Sequence, residues 1–223
     1  MSYFTPLLKE LEKYSDKKRA LGAKKYMRNQ FEFLGVPAII RNKLINNFIR
    51  SYGFPNDWLE ALTEMWHCRW REIQYSGMHI LNKSKKYDYD IEVLEFIITH
   101  KSWWDTVDFI ATSIVNKYFL HNSDKENIIF RWIESTDIWL QRSAIIYQIR
   151  RKEETDFETL KALILRVKDS KEFFIKSAIG WALREYSKVD MFSVIKFIDQ
   201  QGFDGFIRRS ALEYIKRKKL LKN

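Results

Sequence analysis

The sequence predicts an all-α protein, an α-solenoid built from repeated helical pairs, and three observations support this fold class. Apolar residues recur at three- and four-residue spacing along nearly the whole chain, which is the period of amphipathic helices. Seven glycines and three prolines are too few for the many turns of a β-rich fold of 223 residues. A short sequence also repeats at a nearly constant interval, as described below.

Helix boundaries are predicted from caps and from the residues that interrupt the apolar spacing. Asp16 offers an N-cap to the second helix and Asp57 offers one to the fourth, because a carboxylate there can accept from the free N–H groups of the first turn. Gly35 is expected just after a helix end, and Gly53 with Pro55 ends the third helix. The predicted helices cover residues 7–14, 17–29, 41–49, 58–66, 72–82, 91–99, 104–119, 124–135, 139–150, 157–167, 172–186, 191–200 and 205–219.

Short polar connectors separate these helices, and none resembles an interdomain linker. We therefore expect a single domain over residues 1–223. The formal net charge of +10 indicates a polyanionic partner. Because 46% of the residues are hydrophobic and 16% are aromatic, the chain is not a disordered basic tail.

Several classes of protein are excluded by what the composition lacks. Cys68 is the one cysteine, and the four histidines show no ligand spacing, so we expect no disulfide, no metal site and no cofactor. No apolar run approaches the 18 residues of a membrane span, and the first residues lack a basic segment followed by a long apolar core. We expect a soluble, cytoplasmic monomer with no membrane partner.

The repeated sequence has a basic residue followed by Ser-Ala. It occurs at 141–145, 175–179 and 208–212, and residues 74–78 match it more loosely. A period in the thirties with two helices per unit is typical of HEAT- or TPR-like solenoids. The small Ser-Ala pair would let neighbouring second helices pack closely. The equivalent positions, at intervals of 33, 34, 34 and 33 residues, are Tyr75, Asp108, Arg142, Lys176 and Arg209.

Equivalent positions on successive second helices of a solenoid line one wall. The fold class is thus an α-solenoid of HEAT-like helical repeats with a concave basic groove, in which Arg142, Lys176 and Arg209 form a basic row. Asp108 is the one acid in that row. Regularly spaced cations suit the phosphates of a DNA duplex, although ordinary solvation of a charged helix face would also explain them.

The segment of residues 100–111 contains two adjacent tryptophans followed by two carboxylates. In a helix, Trp104 and Asp108 lie one turn apart on the same face, whereas Asp105 points away from it. An aromatic ring beside a carboxylate suits a positively charged ligand. A core tryptophan next to a surface acid would give the same local pattern. The position of Asp108 within a basic row favours the functional interpretation, as do Trp139 and Trp181 near the next two positions.

Four segments of the chain resemble the AlkD-type DNA alkylation repair enzymes, which are HEAT-like-repeat DNA glycosylases. The segments are Tyr26–Gly35 (YMRNQFEFLG), Lys101–Asp108 (KSWWDTVD), Ile138–Ile145 (IWLQRSAI) and Ser170–Tyr186 (SKEFFIKSAIGWALREY). The similarity spans almost the whole chain in order, and the second and fourth segments are the specific ones. Residues 36–39 depart from the family pattern.

The resemblance implies removal of positively charged N3- and N7-alkylated purines from duplex DNA, as in base excision repair. It makes Asp108 the catalytic carboxylate and Trp104 and Trp181 the aromatic walls, and it places Tyr26 by the lesion. It also implies an open groove in which the nucleotide stays largely within the duplex. The candidate DNA-binding residues are Arg142, Lys176, Arg209, Tyr26, Lys25 and Arg28.

The chemistry requires only one acid. An alkylated purine is already a good leaving group, so the barrier comes from the oxocarbenium character that develops at C1′ of the sugar. A fixed carboxylate opposes that charge and orients the attacking water. Two alternatives stay open at this point: a non-catalytic solenoid that binds nucleic acid or protein, and a family relative that lacks alkylpurine excision.

Overall fold

The structure is a computed structural model that describes residues 2–85, 87 and 89–220. Apart from an isolated bridge between Glu32 and Trp70, the regular structure of these residues is helical, as predicted. The α-helices are α1 Thr5–Glu12, α2 Lys17–Tyr26, α3 Ala38–Tyr52, α4 Trp58–His67, α5 Arg71–Ser84, α6 Ile91–Thr99, α7 Trp104–Phe109, α8 Asn116–Tyr118, α9 Lys125–Ile133, α10 Ile138–Ile146, α11 Phe157–Arg166, α12 Phe173–Tyr186, α13 Met191–Gln200, α14 Gly205–Ala211 and α15 Glu213–Leu220.

The chain forms two compact units, one up to Ser102 and one from Trp103 onward. The first unit contains α1 to α6 and the second contains α7 to α15. The single domain expected from the sequence, with its concave basic groove, stays a prediction. Within the described part of the chain, no helix combines the length and the hydrophobicity that a transmembrane span requires.

Both units are built from stacked helical pairs, which confirms the predicted solenoid-type packing. In the first unit, α4 packs against α5 and α6, and α3 packs against α1 and α5. In the second unit, α9 packs on α10, and the second helices α7, α10, α12 and α14 contact one another in sequence order. These helices bury their apolar faces against one another, as the helical spacing of the apolar residues requires.

Small side chains allow the second helices to approach closely, as the repeated Ser-Ala pair predicted. Ala144, Ala178 and Ala211 are completely buried. At Gly180 on α12, an added Cβ would lie 2.6 Å from Cβ and Oγ of Ser210 on α14. No side chain larger than hydrogen fits at this crossing, so Gly180 fixes the spacing between these two helices.

Carboxylates cap several helices, and the two caps predicted from the sequence are confirmed. The carboxylate of Asp16 accepts from the Arg19 N–H at 3.0 Å, and that of Asp57 accepts from the Glu60 N–H at 2.9 Å. Each satisfies an amide that has no acceptor within its own helix. Asp137, Asp156 and Asp190 cap α10, α11 and α13 in the same manner.

Several local predictions differ from the structure, including the helix predicted over 139–150, which ends at Ile146. Helix α2 ends at Tyr26, because Arg28 and Asn29 adopt positive φ angles of 53° and 60° and the Asn29 N–H turns back to the Lys24 carbonyl. Gly35 lies in a loop, where φ is 86° and an added Cβ would be 2.1 Å from the Asp16 carbonyl oxygen. The last helix is interrupted at Leu212, between α14 and α15.

The helix predicted over 104–119 contains a π-helical turn at Ile110–Val115, directly after α7. The Thr112 hydroxyl donates to the Asp108 carbonyl at 2.7 Å, a back-bond that loosens helical turns. Arg150 donates to Oγ of Ser113 at 2.9 Å, which satisfies a polar side chain of this turn. π-helical turns often lie near functional residues, and this one directly follows the helix that carries Asp108.

Candidate active site

Trp104 and Asp108 lie one helical turn apart on α7, as the sequence predicted. The chain is extended at Trp103 and becomes helical at Trp104. Asp105 lies in the first turn, where the partial positive charge of a helix N-terminus favours an acid. The short helix therefore presents the Asp108 carboxylate from a fixed backbone position next to the buried π-helical turn.

The Asp108 carboxylate is held by Arg142 of α10 through two hydrogen bonds. Nε of Arg142 donates to Oδ1 at 2.7 Å, and Nη2 donates to Oδ2 at 2.8 Å. The side chain of Arg142 is only 4% exposed, whereas that of Asp108 is 20% exposed. A bidentate pair of this kind fixes the plane of the carboxylate as well as its position.

A third hydrogen bond ties Arg142 to α12. Its Nη1 donates to the carbonyl oxygen of Phe174 at 2.7 Å. Arg142 therefore joins α7, α10 and α12 through one guanidinium group. Because the three contacts use Nε, Nη1 and Nη2, the guanidinium cannot rotate without losing at least one of them.

The environment of Asp108 raises the pKa of its carboxyl group above the usual value. Burial is the main cause, and the nearby charge of Asp105 acts in the same direction. The hydrogen bonds and the positive charge of Arg142 lower the pKa and offset only part of this effect. The carboxylate is thus kept in a poorly solvated place where its charge acts strongly on whatever lies beside it.

An aromatic cluster lies beside this pair and includes Trp103, Trp139 and Phe174. The Trp103 ring is 5.3 Å from that of Phe174 and 6.0 Å from that of Trp139, and Trp139 is 4.8 Å from Phe174. The indole N–H of Trp103 is buried without a hydrogen-bond partner among the residues that the structure describes. The cluster supports the first turns of α7, α10 and α12, from which the Asp108–Arg142 pair is built.

Trp181, the second predicted aromatic wall, lies on α12 and borders a cavity of about 480 Å³. Ile145 and Ile149, which follow Arg142 in the chain, line the same cavity together with Arg150 and Tyr186. Trp181 is half-buried, as is Trp104. The structure therefore places both tryptophans on helices that Arg142 joins, and their role as walls of a lesion site stays a prediction.

The predicted basic row does not have uniform exposure. Arg209 is exposed and Lys176 is half-buried, as expected for cations that could meet phosphates. Arg142 is buried instead, because Asp108 and the Phe174 carbonyl occupy its guanidinium group. The expectation of an exposed cation at this position is therefore corrected, and the DNA contact predicted for Arg142 is untested.

The other predicted DNA-binding residues lie in the first unit. Tyr26 is the last residue of α2 and is 68% exposed, while Lys25 and Arg28 are exposed on either side of it. Arg28 lies outside the helix, with the positive φ described above. Tyr26 borders a small cavity that also contains Arg41, a residue that the sequence did not single out.

Sequence reasoning missed the contribution of Phe174 because a backbone carbonyl acceptor leaves no trace in residue identity. It also gave no separate role to Trp103, whose ring packs against Trp139 and Phe174. Because adjacent residues point in different directions, the Trp103-Trp104 pair already indicated that two faces of the chain carry an aromatic ring here. Among the described residues, no group of three or more His, Cys, Asp or Glu side chains is arranged to hold a metal ion.

Comparison with known proteins agrees with these features. Residues 7–215 match the family model described as DNA alkylation repair enzyme. A solved structure described as a predicted DNA alkylation repair enzyme from Enterococcus faecalis is similar, with 27% sequence identity and a TM-score of 0.81. The similarity covers 90% of this chain and 96% of the other. A search of curated proteins finds no match.

Proposed function

Because this chain belongs to the DNA alkylation repair enzyme family, we propose that it is a DNA glycosylase that excises N3- and N7-alkylated purines from duplex DNA. The observation that carries the proposal is the state of Asp108. Its carboxylate is poorly solvated, is fixed by two hydrogen bonds, and yet is still 20% exposed. This exposure leaves the fixed carboxylate accessible to a bound substrate.

The proposed reaction breaks the bond between C1′ and the purine nitrogen. The bonding electrons move to the alkylated base, which leaves neutral, and positive charge develops at C1′ and the ring oxygen of the sugar. Water then adds to C1′ and loses a proton, so that an abasic site and a free base are formed. Asp108 opposes the developing charge in the transition state and orients the water.

In this mechanism Arg142 is a positioning residue. Its guanidinium fixes the carboxylate plane from the buried side, and each carboxylate oxygen retains a further lone pair that can accept a hydrogen bond from water. The positive charge of Arg142 also reduces the field of Asp108, which limits the benefit to the oxocarbenium. Poor solvation compensates for this loss, because electrostatic interactions are stronger where water is excluded.

The aromatic residues supply attraction to cationic groups. Trp104 and Trp181 can each contribute about 0.5–2 kcal/mol of cation–π energy to the lesion or the developing sugar cation. In this scheme the Trp103 cluster has a different function, because its rings pack against one another and support the helices. No second acid is needed, since the alkylated base leaves without protonation.

The DNA backbone is bound by the cations outside the Asp108 pair. Lys176 and Arg209 extend from second helices of the same unit, and Lys25, Tyr26 and Arg28 are exposed in the first unit. The formal net charge of +10 favours electrostatic binding to DNA phosphates, which does not depend on the base sequence. We infer that the nucleotide stays largely within the duplex, which agrees with the AlkD-type resemblance.

One experiment tests the proposed activity. The protein is incubated with a duplex that contains a single 7-methylguanine, and abasic sites are then cleaved with alkali and measured on a gel. We expect strand cleavage at the lesion and none in the matched duplex with ordinary guanine. If wild-type protein binds the duplex but releases no base, while Asp108→Asn binds equally well, the chain is a non-catalytic DNA-binding relative.

A further inference from the structure

A second site is indicated in the first unit by Arg41 on α3. The Arg41 guanidinium lies over the ring of Tyr75, with its central carbon 4.7 Å from the ring centroid. Among the residues that the structure describes, no acceptor forms a hydrogen bond with Arg41 and no carboxylate forms an ion pair with it. Its Nε–H is fully inaccessible to solvent and lacks a partner.

This state is costly for a guanidinium group. Arginine has five N–H donors and stays charged in proteins, so a poorly solvated arginine normally has a carboxylate or carbonyl partner. Burial lowers the pKa of Arg41, and the charges of Tyr75 and Glu72 only partly oppose this effect. The protein therefore maintains a positive charge beneath its surface without the acceptors that would stabilise it.

The nearest acid, Glu72, is already committed to the backbone. Its Oε2 accepts from the Leu34 N–H at 3.0 Å, and its Oε1 accepts from the N–H groups of Gly35 and Val36 at 2.8 and 3.3 Å. Glu72 thus fixes the 34–36 loop against α5 and does not pair with Arg41. An anion that enters the cavity would therefore meet an arginine whose donors have no acceptor among the described residues.

Arg41 borders a cavity of about 200 Å³, which Arg19, Tyr26 and Tyr75 also line. This volume lies below the roughly 300–1,000 Å³ of pockets that enclose drug-sized ligands. The cavity therefore suits a single ionic group better than an extruded nucleoside. Arg19 also lines the cavity; its exposed side chain forms an ion pair with Asp16 at 3.5 Å, so its positive charge is partly neutralised.

His79, a second titratable group near Arg41, does not add charge to this cavity. Burial, with smaller contributions from the charges of Arg41 and Lys83, lowers the pKa of His79 to about 4. The imidazole is therefore neutral near pH 7 and neither competes with an anion nor attracts one. The charged residues that line this cavity are Arg19, Arg41 and Glu72, and both carboxylate oxygens of Glu72 already accept from the 34–36 backbone amides.

We propose that this cavity binds one phosphate group of the DNA backbone, with Arg41 as its donor and Tyr26 at its edge. The inference rests on the proposed DNA substrate and adds a contact that is independent of the Asp108 chemistry. Stacking on Tyr75 fixes the guanidinium plane in advance, so little side-chain freedom is lost when a phosphate binds. The phosphate supplies the acceptors that the protein does not.

The test measures affinity for an undamaged duplex by fluorescence anisotropy over a series of salt concentrations. Removing one phosphate contact lowers the slope of log K against log salt by about 0.9. We expect this reduction for Arg41→Gln, whereas Arg41→Lys should retain most of the slope. The matched control is Arg50→Gln, because Arg50 lies nine residues further along α3, on the opposite face of the same helix.

A slope for Arg41→Gln equal to that of wild-type protein would overturn the proposal, as would an equal reduction for Arg50→Gln. If Arg41→Gln unfolds, the Arg41 Nε–H resonance of ¹⁵N-arginine-labelled wild-type protein is followed during titration with the same duplex. A saturable shift supports the contact and an unchanged resonance refutes it. Because this duplex has no lesion, failed excision of 7-methylguanine would refute the proposed activity and leave the phosphate site standing.

Discussion

The two carboxylate oxygens of Asp108 each accept a hydrogen bond from Arg142, at 2.7 and 2.8 Å, although the residues are 34 positions apart in the chain. This interval is one repeat, so the pair joins equivalent positions on neighbouring second helices. The relationship explains how an acid can occur in a row of cations. Arg142 partly neutralises Asp108 and fixes its orientation, whereas in the proposed function the other cations of the row bind phosphate.

In the proposed mechanism, replacing Asp108 by Asn removes the charge that opposes the oxocarbenium but keeps the shape of the side chain. Single-turnover excision of 7-methylguanine should fall by on the order of 10²–10³. DNA affinity should hold or rise slightly, because a negative charge near phosphates is removed. Asp105→Asn is the matched control and should cost much less. Equal losses of binding and excision in Asp108→Asn would instead make this residue structural.

Removing Arg142 should disturb chemistry more than DNA binding. In Arg142→Ala the carboxylate loses both hydrogen bonds and a neighbouring positive charge, which are the two effects that lower the pKa of Asp108. The acid limb of the pH–rate profile should therefore move to higher pH, and excision at neutral pH should fall. A shift of this limb would not follow from loss of packing alone. An unchanged limb with a reduced salt slope would return Arg142 to the role of a phosphate contact.

The wild-type enzyme should have an acid limb above the ordinary range of an aspartate. Burial raises the pKa of Asp108, and the mechanism needs the ionised form, so excision declines as the pH falls through this raised pKa. The folded protein binds this proton more readily than the unfolded chain does. The contribution of Asp108 to folding stability therefore increases as the pH falls through the same window. Single-turnover rates measured between about pH 4, near the reference pKa of Asp, and about pH 8 test the raised acid limb.

The exposed members of the basic row should act on DNA of any sequence. Lys176→Ala and Arg209→Ala should each weaken binding to an undamaged duplex and lower the salt slope by about 0.9 for each phosphate that the side chain neutralises. Binding isotherms at several salt concentrations give both quantities. If neither variant alters the slope, the row does not face the backbone. We expect a smaller slope change for Arg142→Ala, because that side chain is only 4% exposed.

Two glycine substitutions should have opposite effects on stability. Gly180→Ala places a methyl group 2.6 Å from Cβ of Ser210, where α12 and α14 meet, and should destabilise the fold by about 1–3 kcal/mol. Gly22→Ala in α2 has nothing within 4 Å of the new methyl group and should stabilise by roughly 0.5–1 kcal/mol. Urea unfolding of both variants gives the comparison. A neutral Gly180→Ala would mean that the two helices can separate at little cost.

The sequence by itself determined the features that depend on local spacing. Helical periodicity and the caps at Asp16 and Asp57 follow from interactions within a few residues, and both appear in the structure. The placement of Trp104 and Asp108 one turn apart also follows from the pitch of a helix. The repeat of about 34 residues predicted which helices are neighbours, since equivalent units must stack to bury their apolar faces.

Local patterns gave misleading results where a distant backbone decides the conformation. Gly35 resembled a residue after a helix end, yet its small size is needed because the loop passes against the Asp16 carbonyl. The π-helical turn after Asp108 has the composition of an ordinary buried helix, so no periodic signal distinguishes it. In both places, contacts from other elements override the preference of the local sequence.

Only the tertiary structure decided which charged groups meet and which stay without a partner. The sequence placed Arg142 and Asp108 in one row, but only the close packing of α7 and α10 brings them together as a bidentate ion pair. The sequence did not indicate a site at Arg41. Its lack of acceptors arises because the Glu72 carboxylate already accepts from the amides of the 34–36 loop. Burial and hydrogen-bond satisfaction are properties of the whole assembled surroundings, and no spacing of residue types along the chain encodes them.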